Sequence, residues 1–257
     1  MEGIVPTVYP HEIIDWNEQH VGEVDKLPGI HSEEQFAAWL KVYNRNVDKW
    51  EAMNVADSVE LAHYGVHNDG ETPGTDGWTF YLWNDIDCKD MKPDANGAFV
   101  KALTEGVTFD GKGYVLHNLM LDFEHTAPSS GRVGLIGEIR GGRLRNLHLD
   151  FVTVRNMDVD TPSGCIAGRI SSGQIFDCTV REAKMMCRGG VAGVLAGEMS
   201  GGDMAGCKFH GMVQAKEMQD ETEWGYKKIV NGVVGRMPSD FKGTVANDII
   251  NRVFITD

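Results

Sequence analysis

In the stretch YLWNDIDC (81–88), two aromatic side chains and two carboxylates fall at alternate positions: Tyr81, Trp83, Asp85 and Asp87. Alternate residues of a strand share a face, so the two aspartates would lie about 6.5–7 Å apart at Cα. That separation overlaps the range of the acid/base pair in glycoside hydrolysis, and the two rings offer stacking surface to a sugar. In this reading Leu82, Ile86 and Asn84 point inward. Same-face aspartates also serve as a solvated face or turn anchor. The four residues are therefore candidates for ligand contact, and no catalytic residue is assigned.

A second candidate group is basic. Arg132, Arg140, Arg143, Arg145 and Arg155 form the only local concentration of positive charge in a chain with 24 Lys plus Arg against 38 Asp plus Glu, a net charge of −14. Arg143 and Arg145 flank Leu144, so both face solvent if Leu144 is inward. Arginine binds carboxylates through paired hydrogen bonds, which makes these two candidates for contact with a carboxylated glycan or an acidic partner. A solvated face is the plainer reading. The overall negative charge repels phosphate backbones and anionic lipid, so no nucleic-acid partner is expected.

Other chemistries find little support. The nine histidines are scattered without the close pairing of zinc sites, and the five cysteines form no CxxC. An odd number of cysteines cannot all pair within one chain, so buried free thiols are expected, with no metal and no cofactor. Neither HExxH nor GxSxG occurs. No run approaches the roughly 20 apolar residues of a membrane span, so no membrane insertion is expected. Met1-Glu-Gly-Ile lacks the basic start and apolar run of a signal peptide, so either the protein stays inside the cell or a targeting segment has been removed.

The elements that must position these residues come from a repeat. IGEIRGGRLRNLHL (136–149), AGRISSGQIFDCTV (167–180) and AGEMSGGDMAGCKF (196–209) superpose without a gap at offsets of 31 and 29. Gly137, Gly168 and Gly197 coincide, and Gly142, Gly173 and Gly202 mark a turn. Apolar columns follow: Leu144, Ile175 and Met204; Leu147, Cys178 and Cys207; Leu149, Val180 and Phe209. The frame extends backward to GYVLHNLML (113–121), with Leu116, Leu119 and Leu121 in the columns of Leu144, Leu147 and Leu149, and to a fifth unit at WTFYLWNDIDC (78–88). It extends forward to NGVVGRM (231–237), beyond an insertion at 214–228. Asn118, Asn146 and Asp177 share one column and suit backbone capping at corners. The glycines read as turn positions rather than a phosphate loop, because GCIAGRISSGQI leads into another strand pattern and not into a helix.

Short alternating runs separated by glycine corners are strands. One such unit cannot bury its apolar face, whereas stacked units place like residues over like at the strand spacing of about 4.8 Å. The expected fold is all-β: a right-handed parallel β-helix, or β-solenoid, of about six coils and about 30 Å in length. Ser32 followed by Glu33, Glu34 and Gln35 has capping-box form, and Phe36, Trp39, Leu40 and Tyr43 follow at helical spacing. An N-terminal α-helical cap of about 12 residues or more therefore starts at Glu33 and covers the first coil. Residues 1–77 form the N-terminal segment and cap, with a polar loop at 67–77 and an insertion at 51–77, and residues 78–257 form the solenoid as a single structural domain.

The repeats VGLIG…GGRLRNLHL, GCIAG…SGQIFDCTV and GVLAG…GGDMAGCKF resemble the GLUG-motif repeats of bacterial surface and secreted proteins. Such repeats also occur in the non-catalytic region of immunoglobulin A metallopeptidases. IHSEEQFAAWL (30–40), YLWNDIDC (81–88) and FDGKGYVLHNL (109–119) resemble the leader elements that introduce them, and the match covers roughly residues 30 to 213. The resemblance implies a bacterial, extracytoplasmic, adhesin-like protein, on the cell surface or secreted, its signal segment already removed. The function it implies is non-catalytic binding of glycan or protein partners. The alternative is a polysaccharide lyase or glycoside hydrolase of the β-helix type.

Overall fold

The computed structural model describes residues 27–68, 77–123, 131–156, 158, 160–187, 191–217, 234–237, 239, 241, 244–246 and 252–255. Residues 1–26, most of the polar loop at 67–77 and the 218–228 part of the insertion lie outside the described residues.

The chain enters through helix α1 (Glu33–Asn46). Ser32 Oγ accepts from the Gln35 N–H at 3.3 Å, while Gln35 Oε1 accepts from the His31 N–H at 2.6 Å, a reciprocal cap that reaches one residue further back than usual. Phe36, Trp39, Leu40, Val42 and Tyr43 are buried, as the spacing requires. After a 3-10 turn at Trp50–Ala52 comes a second helix, α2 (Val55–Leu61), capped by Asn54, whose Oδ1 accepts from the Asp57 N–H at 2.9 Å. Strand β1 (Gly65–Asn68) then pairs antiparallel with β2 (Gly77–Tyr81). The described part of the 51–77 insertion, residues 51–68, is thus built onto the cap and the first strand.

From β2 onward every strand pairing among the described residues is parallel. The turns run β2 to β3 (Ile86–Asp87); β4 (Ala98–Thr104), β5 (Thr108–Asp110), β6 (Val115–His117) and β7 (Met120–Phe123); β8 (Gly134–Arg145) and β9 (His148–Asn156). They continue with β10 (Ala167–Phe176) and β11 (Thr179–Cys187), then β12 (Ala196–Met199), β13 (Asp203–Ala205) and β14 (Lys208–Glu217), then β15 (Val234–Arg236), β16 (Thr244–Ala246) and β17 (Arg252–Ile255). One sheet holds β1, β2, β4, β5, β8, β10, β12, β13, β15 and β16; the other holds β3, β6, β7, β9, β11, β14 and β17. The all-β parallel β-helix is therefore present. It has about four turns against the expected six; at the N-terminal end β2 and β3 cover only β5 and β6, so that turn is partial.

Inside, like stacks on like. Phe80, Phe109, Leu144, Ile175 and Met204 are in register on successive rungs, and all are buried. Leu147, Cys178 and Cys207 form the next ladder: the Thr179 N–H donates to Leu147 O at 3.0 Å and the Lys208 N–H to Cys178 O at 2.8 Å. All five cysteines are buried free thiols. Of NGVVGRM, the described part Val234–Arg236 (β15) continues the frame, with Val234 beside Ala196 and Arg236 beside Glu198; residues 231–233 lie outside the described residues.

One part of the sequence frame is wrong. Leu116 stacks on Leu149, not Leu144, and Leu121 stacks on Val154. The cause is a spacing of three then two that recurs within each turn, in Leu144–Leu147–Leu149 and again in Leu149–Val152–Val154. Each recurrence contains a corner residue with positive φ. Asn146, Asp177 and Gly206 (φ 52°, 52° and 66°) make one corner column, and Asn118, Phe151 and Glu182 (56°, 55° and 48°) make the other. Asn118 consequently leaves the column of Asn146 and Asp177. Asn and Asp tolerate this left-handed conformation, whereas Phe151 and Glu182 adopt it against their preference.

Charge also marks the register. Glu138, Arg169, Glu198 and Arg236 are neighbours on successive rungs, alternating in sign. Burial opposes ionisation of Glu198, but Arg236 and Arg169 (3.2 Å) outweigh it and hold the carboxyl below its ordinary range. A slip of one rung would oppose like charges.

The N-terminal edge is closed by side chains as well as by strands. Asn44 imitates a strand against β4: its Oδ1 accepts from the Lys101 N–H at 2.8 Å and its Nδ2 donates to Phe99 O at 2.6 Å. Tyr43 Oη donates to Ala102 O at 2.7 Å, and Trp50 Nε1 donates to Thr104 Oγ1 at 2.9 Å. An edge that would otherwise recruit foreign strands is thereby occupied. Trp39 fills the end of the core between Phe80 and Phe109, with ring centroids at 5.4 and 5.1 Å. Among the described residues no helix is long and apolar enough to cross a membrane.

Candidate functional site

YLWNDIDC is not one strand. Strand β2 ends at Tyr81, residues 83–85 turn the corner between the sheets, and β3 resumes at Ile86. Leu82 and Ile86 are fully buried, as alternation required, but Asn84 is exposed, its Nδ2 donating to His31 O at 3.2 Å. The corner adds residues that strict alternation does not count, so the four candidates do not share one face. Tyr81 belongs to the first sheet and Asp87 to the second.

The two aspartates tie turns together. Asp85 Oδ1 accepts from the Val115 N–H on the following turn at 2.8 Å. Asp87 Oδ1 accepts from Asn118 Nδ2 at 3.0 Å and from the Lys89 N–H at 3.1 Å, and Lys89 Nζ sits 3.2 Å from Oδ2. The Asn118 amide, then the Lys89 N–H, hold the Asp87 carboxyl below its ordinary range. An acid held ionised cannot deliver a proton at neutral pH.

Tyr81 and Trp83 do come together, with ring centroids 5.9 Å apart and planes inclined at 32°. Both are partly exposed, and Trp83 Nε1 donates to Pro28 O at 3.1 Å. Beside Tyr81 on the outer side of the sheet lie Asp110, then Arg145, then Phe176, one per rung. Asp110 is buried and gathers its surroundings: Oδ2 accepts from Arg145 Nε at 3.0 Å, and Oδ1 accepts from Asn146 Nδ2 at 3.1 Å and the Lys112 N–H at 3.0 Å. Lys112 Nζ lies 3.4 Å from Asp110 Oδ2 and stands 4.9 Å from the Tyr81 centroid and 5.5 Å from that of Trp83. This is a cation–π arrangement on both rings. Burial first, then the Asp110 carboxylate, push the Tyr81 hydroxyl above its ordinary range.

The basic concentration largely disperses into ion pairs. Arg132 meets Glu138 at 3.6 Å, Arg140 pairs with Asp48, Arg155 meets Asp122 at 3.2 Å and Arg145 is engaged by Asp110. Arg143 is the exception: it is exposed and has no ion-pair partner among the described residues. It stands two positions from Arg145 on β8, on the same outer side, between Thr108 and Gln174 of the adjacent rungs.

Tyr81, Arg143 and Arg145 therefore lie on the outer side of the first sheet, with the Trp83 ring beside Tyr81 at the corner, and Asp85 and Asp87 do not join them. Sequence reasoning missed Lys112, Asp110 and Asn146. The signal was the cross-rung column Tyr81–Asp110–Arg145, which places an acid beside a base once the register is known. Among the described residues no three or more His, Cys, Asp or Glu side chains converge in a metal-ligating arrangement. No family model, curated protein or solved structure matches this chain.

Proposed function

We propose that this chain is a non-catalytic binding scaffold of adhesin-like character, a GLUG-type repeat protein working outside the cytoplasm. Its ligand face is the outer side of the first sheet at Tyr81, Trp83, Lys112, Arg143 and Arg145. The observation that carries the reading is the division of labour in the two candidate groups. Asp85 and Asp87, the pair whose sequence spacing suggested acid/base work, are spent on hydrogen bonds between turns. The aromatic and basic candidates instead converge on a rigid sheet that presents side chains at fixed intervals. Burial pushes the Cys88 and Cys187 thiols up to about 12, which leaves little reactive thiolate at either position in any compartment.

Affinity electrophoresis against a panel of soluble polysaccharides, with reducing ends assayed in parallel, tests this. Retarded migration without new reducing ends is the expected result. Release of oligosaccharide would establish the β-helix lyase or hydrolase instead.

A further inference from the structure

We infer that the face at Tyr81 and Arg143 selects an acidic glycan, a chain of uronate-type sugars whose carboxylates meet Arg143 and Lys112. The inference rests on the binding reading above and narrows it to one ligand chemistry. Three cations, Lys112, Arg143 and Arg145, occupy neighbouring rungs, and the single carboxylate among them, Asp110, is buried beneath. The outward charge is thus positive on a chain whose net charge is −14. Arg143 has its full hydrogen-bonding fork to offer, the geometry that pairs with a carboxylate.

Flanking groups favour sugar over peptide. Along the Arg143 column Thr108 and Gln174 stand on either side, polar side chains suited to hydroxyl groups, with Asp203 one rung beyond Gln174. Along the neighbouring column the partly exposed rings of Tyr81 and Phe176 stand three rungs apart, about 14 Å. Aromatic surface at both ends with cations between them matches a short linear run of charged pyranoses. A peptide ligand would ask for an apolar groove or an open strand edge, and the edge beside this face is already taken by Ile30, whose N–H donates to Tyr81 O at 2.8 Å. Lys112 rests over the Tyr81 and Trp83 rings; an incoming carboxylate draws its ammonium outward and bares the ring surface for stacking.

The test is calorimetric titration of the whole chain with a galacturonate hexamer, a neutral glucan hexamer and a glutamate hexapeptide, repeated at raised salt. The galacturonate is expected to bind, weakening with salt, with the neutral sugar and the peptide each at least about tenfold weaker. Arg143→Gln is expected to lower galacturonate affinity about tenfold, the worth of a charge-assisted pair, with an unchanged melting temperature, and Arg143→Lys to recover part of it. Equal binding of the neutral glucan, or no effect of Arg143→Gln, overturns the acidic-glycan assignment while the binding reading stands. Preference for the glutamate peptide makes the partner an acidic protein. If none of the three binds, the assignment falls and the glycan reading falls with it.

Discussion

Two columns of side chains run the length of the first sheet, one residue apart in every strand. The inner one reads Phe80, Phe109, Leu144, Ile175, Met204; the outer one reads Tyr81, Asp110, Arg145, Phe176, Ala205. Both are built by the same backbone hydrogen bonds at the same rung spacing. The inner column keeps a single chemistry because each side chain must complete the packing of the rung below. The outer column changes chemistry at every rung, since only local partners constrain it. Stability and surface chemistry can therefore vary independently on this solenoid, separated by one residue of pleat.

The sharpest way to break the comparison is to cut each column. Leu144 is fully buried, and Leu144→Ala is expected to destabilise by about 2–5 kcal/mol, seen as a lower midpoint in denaturant. A loss below about 1 kcal/mol would show that the inner column is not a packed ladder. Asp110 is the one outer-column residue with a buried, shared carboxylate, and Asp110→Ala is expected to cost roughly 1–3 kcal/mol. Its double-mutant cycle with Arg145→Ala should show positive coupling; additive effects would remove the outer column's anchor.

The cap adds a pH-dependent contribution of its own. The Arg45 hydrogen bonds, then the Asn46 amide, hold the Asp57 carboxyl down to about 2. A depressed acid stabilises the fold fully above its unfolded value of about 4 and loses that contribution as pH falls towards 2. The difference in melting temperature between the wild type and Asp57→Asn should be widest above pH 5 and should close by pH 2. A constant difference would mean that the carboxylate's charge is not what matters. The smallest effect belongs to Gln174→Ala, beside Arg143 on the outer side, where stability should move by less than about 0.5 kcal/mol.

The same contrast explains what could be read from the sequence. The three central repeats were legible because Gly137, Gly168 and Gly197 and the ladder Leu147–Cys178–Cys207 answer to a core that repeats. At Gly168 an added Cβ would come within 2.7 Å of the Arg132 backbone, so the position admits no side chain. The turn at 113–121 was misplaced because apolar spacing alone does not distinguish the Asn146 corner from the Phe151 corner. The second helix lay hidden because Val55 and Val59 are exposed, which removes its apolar stripe from the pattern. At the candidate site, Tyr81 and Trp83 were found by type. Lys112 was not, because its place over the rings depends on Asp110 being one rung from Tyr81, and rung neighbours are about 30 residues apart in the chain.

The central claim is the parallel register, and the outer side gives it a ruler. Thr108, Arg143, Gln174 and Asp203 occupy consecutive rungs. Spin labels on cysteines introduced at 108 and 203, with the native thiols left buried and unlabelled, should couple across three rungs at about 14 Å. A separation of twice that or more, or no dipolar coupling, would contradict the solenoid.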